Sequence, residues 1–234
     1  YQYWKYVVSM RPVDFATKFA AMVASGEIAP EQLRSERKPR EIRRRDLLMI
    51  KMVGHGQFGE VWKGILDESS AGGTPSYLVA VKTAKATTGD DAEELVKEAL
   101  LMAQVQTHEH LVSLVGVITR GSPKILVLSF CEHGELQGLL KKRAADGDAF
   151  SDTAKCDFCK EVADGMAHLA LHNFVHRDLA ARNVLLGSGM VCKVADFGLS
   201  RRVQTEDNTG DYYRSSSGII PIRWTAPEGI TSQK

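Results

Sequence analysis

The sequence predicts an α+β fold of two unequal lobes, the first rich in strands with a single helix and the second mainly helical. Two observations lead there. Between Leu47 and Phe130, short aliphatic runs of strand length recur between turns rich in glycine and serine, with one helix-length segment among them. Beyond Cys131, apolar residues fall at helical spacing instead, which puts the boundary near residues 130–134. A chain of 234 residues is long enough for one large domain or two small lobes.

Taken in order, Pro12 is placed to start a helix running to about Ser25, with Phe15, Phe19 and Met22 on one face and Gly26 as the stop. Arg34 to Arg45 is rich in arginine and lysine, broken by Glu36, Pro39 and Glu41. It reads as a solvated linker, with a segment beside an anionic membrane surface as the sharper alternative. Leu47–Val53, Glu60–Ile65 and Leu78–Thr83 are expected strands. Asp90–Gln106 is expected as a helix, because Leu95, Ala99 and Met102 fall at i, i+4 and i+7. Strands follow at Leu114–Ile118 and Ile125–Phe130, then helices at Glu135–Ala145 and Thr153–His172. The latter carries Phe158, Val162, Met166 and Leu169 on one face.

Composition narrows the function. Thirty basic residues stand against 29 acidic ones, a net charge of +1, which gives no support to a nucleic-acid partner. No apolar run approaches the ~18 residues that span a bilayer, and Tyr1 to Met10, aromatic and containing Lys5, does not resemble a signal peptide. Four cysteines in so long a chain make no disulfide framework and favour a reducing compartment. Cys156 and Cys159 form a C-x-x-C pair, but no second pair exists at zinc-site spacing, so a structural reading is preferred.

The chemistry-bearing residues begin at Gly54-His55-Gly56-Gln57-Phe58-Gly59, a G-x-G-x-x-G run. A dinucleotide fold needs a helix directly after such a run. Here Glu60-Val61-Trp62-Lys63-Gly64 reads as a strand, so the glycines form the tip of a hairpin whose backbone can approach phosphates. Lys82 ends an aliphatic strand and shares a face with Ala80. Glu98 lies on the apolar face of the next helix, where a lone carboxylate is costly. Pairing the two resolves both anomalies. Downstream stand His176-Arg177-Asp178-Leu179-Ala180-Ala181-Arg182-Asn183, then Asp196-Phe197-Gly198, then Ala226-Pro227-Glu228.

That ordered set resembles the protein-kinase signature and covers about residues 46–234. The resemblance implies a bilobal protein-kinase-like fold with a small antiparallel β-sheet lobe. Residues 1–40 become a juxtamembrane-like extension with a short helix, 41–130 the first lobe and 131–234 the second. The second lobe stops after Ala226-Pro227-Glu228, where the family continues with several more helices. The resemblance also implies ATP and Mg²⁺ as cofactors. Asp178 would take the proton of the substrate hydroxyl, Asn183 and Asp196 would hold magnesium, and Lys82, positioned by Glu98, would contact the α/β-phosphates. ATP would lie among Gly54, Gly56, Gly59, Val61, Ala80 and Leu185, with Leu128 as gatekeeper and Ser129, Phe130 and Cys131 as the hinge. Met102, Leu114, His176 and Phe197 resemble the family's internal spine.

Serine/threonine kinases generally carry a lysine two residues after the catalytic aspartate. This chain has Ala180 there, with its positive charge at Arg182, and resembles the tyrosine-specific branch. Pro221-Ile222-Arg223-Trp224 resembles that branch as well. The loop Asp67–Ser76 and the pair Tyr212-Tyr213 resemble receptor-type kinases, with the two tyrosines as regulatory phosphorylation sites. The implied partners are tyrosine-bearing protein substrates, a trans-autophosphorylating dimer and downstream phosphotyrosine-binding proteins. The implied location is the cytoplasmic side, at the plasma membrane through a segment outside this chain if the protein is a single-pass receptor. A cytoplasmic tyrosine kinase and a pseudokinase scaffold are the alternatives.

Overall fold

The computed structural model describes residues 14–25, 37–56, 59–69, 75–84 and 89–202, together with Trp224 and Pro227. Helix α1 spans Phe15–Ala24. Strands β1 (Leu47–Gly56), β2 (Gly59–Leu66) and β3 (Tyr77–Thr83) precede helix α2 (Gly89–Gln104), and β4 (Leu114–Ile118) and β5 (Ile125–Ser129) follow it. They form one sheet in the order β1-β2-β3-β5-β4, and every neighbouring pair is antiparallel. The chain then turns helical, with α3 (Leu136–Ala145) and α4 (Asp152–Leu171). Short strands β6 (Gly134–Glu135), β7 (Phe174–Val175), β8 (Val184–Leu186), β9 (Cys192–Val194) and β10 (Arg201–Arg202) pair as β6-β8-β9 and β10-β7. This is the expected α+β architecture.

Local sequence explains most of these elements. On β3, Val79 and Val81 are fully buried and join Leu66, Ile118, Ile125 and Val127 in one core cluster. On α2, Leu95, Ala99 and Met102 are buried as their spacing requires, and with Val117, Leu126, Leu169, Val194 and Phe197 they form a second cluster that spans both lobes. Ser151 caps α4 by accepting the Ala154 N–H at 3.2 Å, and Asp152 complements the positive end of the helix.

Near the N-terminus, the expected bounds of the first helix fall outside the described residues, and the expected linker is corrected. The described part of the first helix begins at Phe15, because Asp14 caps it: its carboxylate accepts the Thr17 N–H at 3.3 Å and the Thr17 hydroxyl at 2.6 Å. Pro12 and Gly26, the anticipated start and stop, lie outside the described residues. The helix packs on the first lobe, with Phe15 and Met22 in the cluster that holds α2 and Lys18 Nζ 2.8 Å from a Glu93 carboxylate oxygen.

The basic stretch, where described, is not a solvated linker. Residues 37–46 lie along the exposed edge of β4. The Ile42 N–H donates to Val117 O at 2.7 Å, and the Val117 N–H donates to Arg40 O at 2.8 Å. Glu41 accepts the Thr119 N–H and hydroxyl, both at 2.9 Å, while Arg44 donates to the carbonyls of Arg120 (3.1 Å) and Pro123 (2.6 Å). An uncovered strand edge offers unpaired backbone groups, and this segment satisfies them. Charge had masked the docking signal, since the buried members are only Pro39 and Ile42.

Gly116 makes the docking possible. A Cβ there would come within 2.6 Å of Arg40 O and 2.8 Å of the Ile42 side chain. Gly116→Ala is therefore expected to destabilise the fold by about 1–3 kcal/mol, an overpacking cost. A thermal melt that leaves Tm unchanged would show that the segment is not held there.

Candidate active site

The site is assembled from both lobes. β3 carries Lys82 inward, opposite Val61 on β2 and Leu126 on β5. α2 carries Glu98 on its buried face, and both side chains are almost wholly inaccessible. Lys82 Nζ donates to the two Glu98 oxygens at 2.9 and 2.8 Å and to Asp196 Oδ1 at 3.3 Å. Burial works against the Lys82 ammonium, but the Glu98 and then the Asp196 carboxylate outweigh it and hold its pKa above the ordinary lysine value. Burial pushes the Glu98 carboxyl up while Lys82 pulls it down, so the two partners shift in opposing senses for their charge states. With both Glu98 oxygens accepting from one ammonium, the ionised pair is the state the geometry supports.

The second lobe contributes a loop and a short turn. His176 is buried and joins two segments. Its Nε2–H donates to Ala195 O at 2.9 Å, and its Nδ1 accepts the Asp178 N–H at 3.3 Å. Burial lowers its pKa, in keeping with this neutral tautomer. Arg177 and Asp196 both adopt left-handed backbone, with φ of 67° and 64°. Residues of this kind are strained there and persist where surrounding contacts over-determine them. The 3-10 turn Ala181–Asn183 then brings Arg182 and Asn183 back to Asp178. Arg182 donates to Asp178 Oδ1, and Asn183 Nδ2 donates to Asp178 Oδ2 and to its backbone oxygen, both at 2.8 Å. The Arg182 guanidinium also lies 5.6 Å from the centre of the Trp224 ring.

The spine residues Met102, Leu114 and Phe197 share one core cluster, and the His176 ring lies 5.5 Å from that of Phe197. Val61, Ala80, Leu128 and Leu185 are half-buried, and Ala80 pairs with Leu128 across β3 and β5. Gly54 and Gly56 lie at the end of β1. Gly59 has a further reason to be glycine: its φ is +130°, and a Cβ would stand 2.0 Å from Thr83 O. At the hinge, the Ser129 N–H is engaged by Ser113 O at 2.9 Å, and the Ser113 N–H returns to Ser129 Oγ at 3.0 Å. Lys63 Nζ lies 5.1 Å above the Phe130 ring, and burial pushes the Cys131 thiol up. Cys156 and Cys159 are exposed, one turn apart on α4. Tyr212, Tyr213, Ala226 and Glu228 lie outside the described residues.

Sequence reasoning missed the hydrogen bonds that orient these groups. The dual role of His176, the Ser200 hydroxyl donating to His176 O at 3.3 Å, and the Arg182–Trp224 contact all join segments distant in sequence. No local periodicity signals them.

The site thus brings together one buried ammonium, two flanking carboxylates, and a third carboxylate bearing an amide and a guanidinium. Residues 47–234 match the family described as protein tyrosine and serine/threonine kinase, and the chain belongs to that family. Its relatives include ephrin type-B receptor 3 of Danio rerio, 43% identical over 185 residues, which cover 79% of this chain and 36% of that protein. Ephrin type-B receptor 1 of Gallus gallus and ephrin type-A receptor 1 of Homo sapiens are each 40% identical over 185 residues, covering 79% of this chain and 18% of each relative. The similarity thus falls on the receptor-type side of the sequence expectation. The chain spans about a third or less of the length of these relatives. Among the described residues, no helix is long and apolar enough to cross a membrane.

The Lys82–Glu98 geometry requires energetic coupling. In a double-mutant cycle on kcat/KM, Lys82→Met and Glu98→Gln are expected to be non-additive by about 0.5–3 kcal/mol. Strictly additive losses would show that the two side chains act separately.

Proposed function

We propose that this chain is the catalytic part of a receptor-type protein tyrosine kinase, transferring the γ-phosphate of ATP to tyrosine hydroxyls of protein substrates. The observation that carries the reading is the pairing of the Lys82–Glu98–Asp196 ionic unit with the Asp178–Arg182–Asn183 constellation. In that reading, residues 41–130 and 131–234 are the two lobes and 1–40 an extension.

Phosphoryl transfer depends on alignment and on neutralising charge more than on covalent help. Lys82 is held as a fixed cation for the α/β-phosphates, with Glu98 preventing it from turning to solvent. The glycines 54 and 56 offer backbone approach to the phosphates, and Val61, Ala80 and Leu185 offer apolar faces to the base. Asp178 accepts the tyrosine proton as the new O–P bond forms and the bond between the β- and γ-phosphates breaks, leaving ADP. Arg182 and Asn183 orient the Asp178 carboxylate toward that proton. Asn183 commits its amide nitrogen to Asp178, which leaves its amide oxygen as a donor of the type Mg²⁺ takes beside the Asp196 carboxylate. Magnesium bound to Asn183 and Asp196 would supply neutralisation of the phosphate charge. Ala180, buried in extended backbone, leaves the positive charge beside Asp178 to Arg182, as the tyrosine-specific branch requires.

Tyr212 and Tyr213 are the proposed regulatory phosphotyrosines, modified in trans by a second copy. Each phosphate adds about −1.5 to −2 charge, and Arg177 is the proposed partner. Tyrosine-bearing substrates and phosphotyrosine-binding proteins complete the proposed partners, on the cytoplasmic side of a membrane.

Asp178→Asn keeps the shape and removes the proton acceptor. It should lower kcat about 10²-fold or more while nucleotide affinity stays near wild type. A variant retaining more than about a tenth of wild-type kcat would remove Asp178 from the base role. Replacing Tyr212 and Tyr213 by Phe should leave basal activity intact and abolish the rise that follows incubation with ATP and Mg²⁺. An undiminished rise would assign activation elsewhere.

A further inference from the structure

We propose that four histidines behind the candidate site, together with Asp164, form a proton-responsive clasp that positions the strand leading to Asp196. His108 and His110 come from the loop between α2 and β4. His168 lies on α4, four residues after Asp164 and on the same face, and His172 is the residue that caps the C-terminus of the helix. The rings of His108, His168 and His172 stack in succession, with centres 4.4 Å apart at each step, and His110 lies 5.8 Å from His108.

Each ring has its proton assigned by a neighbour. Carbonyl oxygens only accept, so His110 Nδ1 donates to Cys192 O (3.1 Å), His168 Nε2 to Gln106 O (3.2 Å) and His172 Nδ1 to His168 O (2.8 Å). His108 Nδ1 accepts the His110 N–H at 3.2 Å, which leaves its own proton on Nε2, 3.5 Å from Asp164 Oδ2. The closed clasp therefore needs one proton on each ring, and His108 has its Nδ1 committed as an acceptor. A second proton on His110 would point toward Asp164 Oδ2, 3.8 Å away, and be tolerated. A second proton on His108 would displace the His110 N–H. On His168 or His172 it would set a cation against a stacked imidazole.

Among the surrounding charges, Asp164 compensates in part. Asp164 is the carboxylate that faces the rings. Glu161, on the same face of α4, is held by the Cys192 N–H at 2.7 Å. From β9, Lys193 donates to Glu109 O and adds positive charge beside the loop. Burial, then His172 and His108, hold the His168 pKa below its ordinary value. Protons thus bind His168 more readily in the open clasp than in the closed one. Its stability is present above the usual histidine range, near pH ~6.5, and is lost as pH falls below it.

The clasp reaches the candidate site through backbone. The Val194 N–H donates to His110 O and the Val112 N–H donates to Val194 O, both at 2.9 Å, and Val194 lies two residues before Asp196. Opening the histidine stack frees the loop from α4 and slackens this pairing. The link to phosphoryl transfer rests on the kinase reading above, whereas the clasp itself does not.

The test is amide hydrogen exchange on the intact protein, corrected for intrinsic pH dependence, at about pH 7.5 and about pH 5.5, on either side of the histidine range. In wild type, protection at Val112 and Val194 should be partly lost between the higher and the lower pH. His168→Gln with His172→Gln should diminish that loss, and His168→Lys should lower protection at both pH values. The wild-type kcat should decline more steeply with acid than that of the double variant. Superimposable exchange profiles in wild type and the double variant would overturn the clasp, and a protection loss without the steeper kcat decline would overturn its coupling to Asp196. If neither protein transfers phosphate at about pH 7.5, the kinase reading fails and the exchange profiles alone decide the clasp.

Discussion

An ammonium buried between two carboxylates constrains the first lobe more than any other feature. Lys82 sits on a central strand of the sheet, almost wholly removed from water. An isolated charge in that position would cost several kcal/mol. Its partners must therefore arrive together, and each comes from a different element: Glu98 from α2 and Asp196 from the segment after β9. The apolar face of α2, packed through Leu95, Ala99 and Met102, holds Glu98 at the required depth. The core that stabilises α2 also determines whether the site exists, so packing and chemistry are not separable here.

The second lobe answers a different constraint, the placement of polar groups on non-regular backbone. Arg177 and Asp196 both occupy left-handed backbone that disfavours side chains. Such conformations persist only when neighbours over-determine them. His176 supplies much of that restraint, because one neutral ring joins the Asp178 amide to the Ala195 carbonyl. Asp178 is then aimed by two donors that follow it by four and five residues, through a single 3-10 turn. Asp178 and Asp196 are thus linked through one imidazole.

Further support comes from the residues that precede the first strand. Residues 37–46 cover the β4 edge, and α1 packs against the cluster that holds α2. A basic, proline-broken segment satisfies backbone groups that would otherwise face solvent, through the Arg40 carbonyl and Ile42 amide and through the side chains of Glu41 and Arg44. That is why composition misrepresented it: residue type records neither a backbone pairing nor whether a charged side chain turns to solvent or to a neighbouring strand.

The amino-acid sequence by itself determined the order of strands and helices, the change of period near Cys131, and the identity of the chemistry-bearing residues. These are local or motif-level properties, carried by apolar spacing in α2 and β3 and by the runs around Asp178 and Asp196. It also raised the pairing of Lys82 with Glu98, because a charge on an apolar face demands a partner. Only the tertiary structure decided which atoms meet: that Asp196 joins the Lys82 pair, that His176 bridges two backbones, that Gly59 and Gly116 are required by close backbone approach, and that three histidine rings stack with a fourth beside them, two of the four facing one carboxylate. Each of these contacts joins residues distant along the chain or depends on where a backbone passes. Spacing along a sequence records neither.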